Sequence, residues 1–315
     1  MNSCLVRRVW CYQEDLLSPR KIHFCKDQLY WHCDHANASE DRLIDGASPL
    51  QAVADVLTSS DSHAQDVADQ LSKYWYEEVI SEDYSKREAT YERDRLVAVS
   101  GLAKRVGAAM KSNYLLGLWE STVVYGLNWA SETSTRTKID GVPSWSWASQ
   151  QGGISYTRVE NPVCTFIRAD IGYLNPDDLF GDVTSAALTL RGKFFSMDEL
   201  PPRQNVFFEG AWDDHGFDPA DNCIMMLPLD TDTCWERITL LLVTASASDP
   251  SRHTRVGHGS WHGGPWQDGR PSSLGMSLSQ TLTFNPFELM AFLRMKKTFV
   301  ICSVLWSRCL RLRLH

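Results

Sequence analysis

None of the nine cysteines stands at C-x-x-C spacing from another, and their number is odd. Behind the basic start Met1–Arg8 there is no apolar run of the kind a secretory signal carries. Together these absences speak against an extracellular disulfide framework and place the chain in a reducing compartment. The longest late apolar run, 298–306, is far shorter than the roughly 20 residues that cross a bilayer. Positive charge is also in deficit: 31 Lys and Arg against 39 Asp and Glu give a net charge of -8. A general nucleic-acid or anionic-membrane binder needs a net basic face, so the charge argues against those classes. The expectation is a soluble, cytoplasmic protein of two structural units.

The residues present begin with helical spacing. Trp10, Gln13, Glu14 and Leu17 stand at i, i+3, i+4 and i+7, and Ser18-Pro19 ends the helix, with Trp10 and Leu17 expected inward. From Lys21 to Cys33 the pattern is a hairpin turning at Lys26-Asp27. This register puts Ile22, Phe24, Leu29 and Trp31 on one face, with Lys21, His23, Gln28 and Tyr30 on the other. Three helices are expected next, packed on that hairpin. One is capped at Asp61-Ser62 and carries Val67, Leu71, Tyr74, Trp75 and Val79; the others run from Asp94 to Met110 and from Tyr114 to Trp129. An exposed loop is expected over 131–141. Thereafter Val163–Ala169, Ala187–Phe195, Cys223–Leu229 and Ile238–Thr244 are β-prone runs. From Ala245 to Gly275 neither period holds, and poorly ordered chain is expected.

The most unusual stretch is Val142–Ser149, V-P-S-W-S-W-A-S. In an extended backbone Trp145 and Trp147 share one face, and Ser144 and Ser146 point the other way. Each indole hides about 150 to 250 Å², roughly 4 to 6 kcal/mol as an upper bound. Such a pair needs a cover: a protein core, the commoner partner, or a stacked sugar or base.

Three separated segments together resemble fungal heterokaryon-incompatibility (HET) domain proteins. Arg8-Val9-Trp10-Cys11-Tyr12-Gln13-Glu14, followed by Leu16-Leu17-Ser18-Pro19-Arg20, is similar to the last motif of the HET domain, with Val9 where Gly or Ala is usual. Asp94–Ala103 and Tyr114–Trp119 resemble the helical region that follows the domain, and Pro143–Ser149 its Pro-Ser-Trp-Ser-Trp-Ala-Ser segment. Phe180–Val183 and Leu188–Gly192 look like its later β region. The resemblance implies a role in non-self recognition, where such proteins trigger cell death after incompatible hyphae fuse, through a protein partner that the residues do not specify. It also implies two earlier motifs upstream of the present start, so the chain is expected to be a truncated, non-enzymatic remnant. The tail Arg294–His315 reads as a changed frame or retained intron.

Glu14, with Gln13 and Trp10, is the candidate for chemistry. HET domains resemble TIR domains, some of which cleave NAD with a glutamate, and a carboxylate can stabilise an oxocarbenium-like centre. The plainer reading pairs Glu14 with a neighbouring Arg. His23, Cys25, His32, Cys33 and His35 are zinc-ligand types, but Cys33 lies on the opposite face of the hairpin, and packing is favoured over a metal. Asp213–Asp218 lacks a calcium loop's spacing and reads as a solvated turn. Gly257–Gly263 holds Ser and His without G-x-S-x-G. The basic tail around 299–306 offers a membrane-contacting helix, a reading set below the frame change.

The expected fold is α+β: residues 1–38 as the helix and hairpin ending a HET (TIR-like α/β) domain, 39–130 helical, 131–244 antiparallel and β-rich, and 245–315 poorly ordered. No cofactor or metal is expected. The alternatives are an NAD-consuming enzyme whose catalytic half is missing, and a binding module presenting Trp145 and Trp147.

Overall fold

A computed structural model describes residues 7–33, 36–44, 64–132, 139–193, 195–196, 207–213, 224–231, 237–245, 252–262, 266–267, 270–271 and 279–284. The Asp61-Ser62 cap, His35, most of the 131–141 loop and the basic tail lie outside these residues. Among the described residues no helix is long and apolar enough to cross a membrane. The fold is α+β.

Helix α1 (Val9–Leu17) buries Val9, Tyr12 and Leu16. The inward stripe is thus one position off the expected one, and Trp10 remains 37% exposed. Strands β1 (Arg20–Phe24) and β2 (Leu29–Cys33) form the expected hairpin, with Ile22 opposite Trp31 and Phe24 opposite Leu29. Cys25 N–H donates to Gln28 O across the Lys26-Asp27 turn. Strands β3 (Ala36–Ser39) and β4 (Leu43–Ile44) extend the hairpin to four strands, carrying this sheet past residue 38. Its apolar face is open: Phe24 is 82% and Leu43 78% exposed, beside exposed Ile22, Leu29 and Trp31. Contrary to the sequence expectation, the helices that follow do not cover the hairpin; those over Arg95–Ala98 and Ser100–Met110 pack on α1 instead.

Helix α2 (Ala64–Lys73) runs into a wider, π-helical stretch over Tyr74–Ser81, where Glu82 N–H bonds the carbonyl five residues back at Glu77. The extra residue per hydrogen-bonded turn lets Tyr74, Trp75 and Tyr76 all enter the core. The second expected helix breaks at Val99 into α3 (Arg95–Ala98) and α4 (Ser100–Met110).

The third expected helix is largely absent. Tyr114–Trp129 folds as a tight hairpin, β5 (Tyr114–Leu115) and β6 (Leu118–Trp119), then a short helix α5 (Val123–Leu127). Leu116 and Gly117 both have positive φ, 47° and 104°, the signature of a primed two-residue turn. The continuous apolar character foretold the burial but not the element. Strand β7 (Trp129–Ser131) then pairs with β8 (Ile154–Tyr156).

The remaining strands form an eight-stranded, mostly antiparallel sheet. Its members are β9 (Thr165–Tyr173), β10 (Val183–Lys193), β11 (Phe195–Ser196), β12 (Phe207–Trp212), β13 (Ile224–Thr231), β14 (Arg237–Ala245), β15 (Arg252–His262) and, after two short paired strands, β16 (Trp266–Gln267) and β17 (Arg270–Pro271), β18 (Ser279–Phe284). Their order is β11-β13-β14-β15-β18-β10-β9, with β12 also on β15. The described residues of all four β-prone runs lie in strands, apart from Val163 and Cys164. Strand β14 is buried without interruption from Ile238 to Val243, as expected of a strand covered on both faces. The sheet curls back: Val163 N–H donates to Leu229 O, and Asp230 Oδ1 accepts from the Glu160 and Asn161 amides.

Within 245–275, where the sequence reading expects poorly ordered chain, the described residues Arg252–His262 form β15 inside this sheet. Its alternation was hidden by a bulge: Leu242 faces Gly257 but Val243 faces Arg255, leaving Val256 as the extra residue.

Gly117 marks the tightest point of the helical layer, because a Cβ there would lie 2.5 Å from Trp147 Nε1. Gly117→Ala is expected to destabilise the protein by about 1 to 3 kcal/mol through strain and overpacking, measured as a lower urea midpoint with unchanged slope.

Candidate functional site

The residues that carry the resemblance divide into solvent-facing and buried sets. Arg8 is exposed, and its neighbours are fixed through the backbone: Val9 N–H donates to Glu88 O, and Glu88 N–H to Arg7 O. Val9 itself is buried. Gln13 reaches across the layer, its Oε1 accepting the Gly101 N–H at 2.9 Å. A Cβ on Gly101 would come within 2.8 Å of that oxygen, so this glycine permits the approach. Glu14 is exposed, and among the described residues neither a hydrogen bond nor an ion pair involves its carboxylate. Its carbonyl closes the helix instead, accepting from Ser18 N–H and Oγ. The expected Arg partner for Glu14 is not found among the described residues.

Pro143–Ser149 is not a strand. It makes a turn followed by a single 3-10 turn over Trp147–Ser149, so the expected alternation of tryptophan and serine faces does not arise. Trp145 and Trp147 are 0% and 1% exposed, and the serines are buried as well. Ser146 explains the bend: its Oγ donates to Leu116 O at 2.6 Å and accepts the Ala148 N–H. Trp147 Nε1 and Trp75 Nε1 both donate to Gly117 O, at 3.1 and 3.0 Å. Trp129 Nε1 donates to Trp145 O. Tyr84 joins the two motif segments, with its ring centroid 5.3 Å from Tyr12 and 6.0 Å from Trp147. Neither indole has a free face for a sugar or base.

A dense polar cluster centres on Arg255, which the sequence reading missed. Its side chain is fully buried. Nε donates to Asp213 Oδ2 at 2.8 Å, Nη1 to Leu127 O at 2.7 Å and Nη2 to Trp129 O at 2.5 Å. The guanidinium carbon lies 3.3 Å from the centroid of the Trp129 ring, and the Arg255 amide donates to Ser144 Oγ. Burial lowers the Arg255 pKa while Asp213 opposes that shift, and a guanidinium stays charged in either case. The Val256 bulge brings His258 to the same region, Nε2 2.7 Å from Asn128 Oδ1. Because Asn128 Nδ2 already donates to Thr157 O, its Oδ1 must accept, so His258 carries its proton on Nε2. Burial and the neighbouring guanidinium push the His258 pKa down to about 3.

Asp213, expected in a solvated turn, is thus a buried counter-ion; 214–218 lie outside the described residues. Of the Gly257–Gly263 segment, 257–262 belong to β15. On the hairpin, the register puts His23 and His32 on one face and Cys33 on the other. Among the described residues no three His, Cys, Asp or Glu side chains are grouped to hold a metal. His23 instead lies 3.7 Å from Asp15, which pairs with Lys21.

The geometry defines an α+β protein whose motif residues build a packed aromatic layer and whose buried arginine ties that layer to a curled sheet. No family model, curated protein or solved structure matches the chain.

Removing one partner from a desolvated pair leaves the other charge buried. Arg255→Met or Asp213→Leu alone is expected to lower stability by about 3 to 5 kcal/mol. The double variant should lose clearly less than the sum in a denaturation cycle.

Proposed function

We propose that the chain is a HET-related protein of fungal non-self recognition that acts by contact with a protein partner and not by catalysis. The observation that supports this reading most is where the motif residues lie. Gln13, Trp145 and Trp147 are taken up in packing and in hydrogen bonds within the layer. Glu14, the one motif residue with catalytic chemistry, is exposed on α1. Cleavage of a glycosidic bond to nicotinamide develops positive charge that a carboxylate stabilises best in a water-excluded site. A solvated carboxylate offers little of that.

The four-stranded sheet supplies surface of the opposite kind. Ile22, Phe24, Leu29, Trp31 and Leu43 form an exposed apolar face of the sort that marks protein contacts. Its position in the segment that resembles the HET domain is consistent with a partner docking there.

Controlled expression in a fungal host tests the reading, with viability and total NAD measured together. Cell death is expected to persist in Glu14→Gln and to be lost in the double variant Phe24→Ser, Leu43→Ser, with NAD unchanged throughout. Loss of NAD that depends on Glu14 would replace this reading with the NAD-consuming one.

A further inference from the structure

The joint between sheet and aromatic layer concentrates its charge on one bulge. Arg255 and His258 stand three apart on β15, a spacing that regular alternation would split between the two faces. The extra residue Val256 restores both to one side, where Leu127, Asn128 and Trp129 receive them. Every described tie there from β15 side chains to that connection thus passes through one cation and one neutral imidazole. The groups that face them are Asp213, which follows β12, Tyr156 on β8, and the amide of Asn128. Tyr156 stays neutral, because burial holds its phenol well above its ordinary range. Asp213 is the single anion among these groups, and Arg255 already occupies it.

From this arrangement we propose that the β15 joint is an acid-operated latch: protonation of His258 puts a second cation beside Arg255 and releases the aromatic layer from a sheet that remains folded. With the joint closed, His258 is neutral, and its pKa of about 3 lies far below the ordinary imidazole value of 6.5. With the joint open it meets water and regains that ordinary value. The open form therefore binds more protons between these limits, and closure weakens as pH falls through them. Above about 6.5 the latch keeps its full strength. Below that, one proton shifts the open-to-closed ratio up to tenfold per pH unit. Nothing in the opening requires β14 to separate from β13 or β15, since the imidazole meets the layer through its side chain while the His258 backbone stays paired with Leu241 in the β14–β15 ladder.

An acid titration of the full chain from pH 7 to 3.5 tests the latch, following near-UV circular dichroism of the buried indoles and far-UV dichroism of the sheet. The near-UV signal is expected to fall first, with its midpoint at higher pH. In His258→Gln that midpoint should move down by at least half a pH unit, while His23→Gln should leave it unchanged. Coincident near-UV and far-UV loss, or an unmoved midpoint in His258→Gln, would overturn the proposal. Should His258→Gln fail to fold, proton NMR of His258 in the unaltered chain decides. A neutral ring at pH 5.5 in the closed form supports the latch, and an imidazolium in that form refutes it.

Discussion

The buried guanidinium of Arg255 is the contact on which the two halves depend. The apolar core runs from the helical layer into the curled sheet, but apolar packing is tolerant of sliding. Five directional contacts from one residue are not: a carboxylate, two carbonyls, a serine hydroxyl and an indole face fix the strand against Leu127–Trp129 and against Ser144. A charge removed from water is compensated only when its geometry is complete. Register between sheet and layer is therefore set at this point.

Around that joint the aromatic residues serve as structure. Gly117 O accepts two indole N–H groups, Tyr84 bridges the two motif segments, and Ser146 shapes the bend between Trp145 and Trp147. The stretch that most distinguishes this sequence is thus a buried corner, in contact with the Arg255 amide through Ser144. The exposed apolar surface lies elsewhere, on the open face of the four-stranded sheet.

What was legible in the sequence follows from how local each signal is. The Ile22/Trp31 register was readable because alternation and a two-residue turn are set within a dozen residues. Its open face was not, because the element that covers a hairpin is decided by contacts distant in sequence, and the helices expected there pack elsewhere. Tyr114–Trp129 misled because a buried apolar run carries no period, and the deciding feature was the positive φ at Leu116 and Gly117. Strand β15 was missed because Val256 breaks the alternation. Thr254, Arg255 and Val256 still carried β-prone flanks around one charge, the available hint of a buried ion pair. Its partner Asp213 is 42 residues away, and no short-range pattern connects them.

At neutral pH, sheet and aromatic layer form one cooperative unit through Arg255. Native-state hydrogen exchange at increasing denaturant measures this directly, on the amides of Trp129 and Tyr156 in the layer and of Leu241 and Leu242 in the sheet. Both sets are expected to merge into one opening reaction in the unaltered protein and to separate in Arg255→Met, with the layer opening first. Two separate opening reactions already present in the unaltered protein would contradict it.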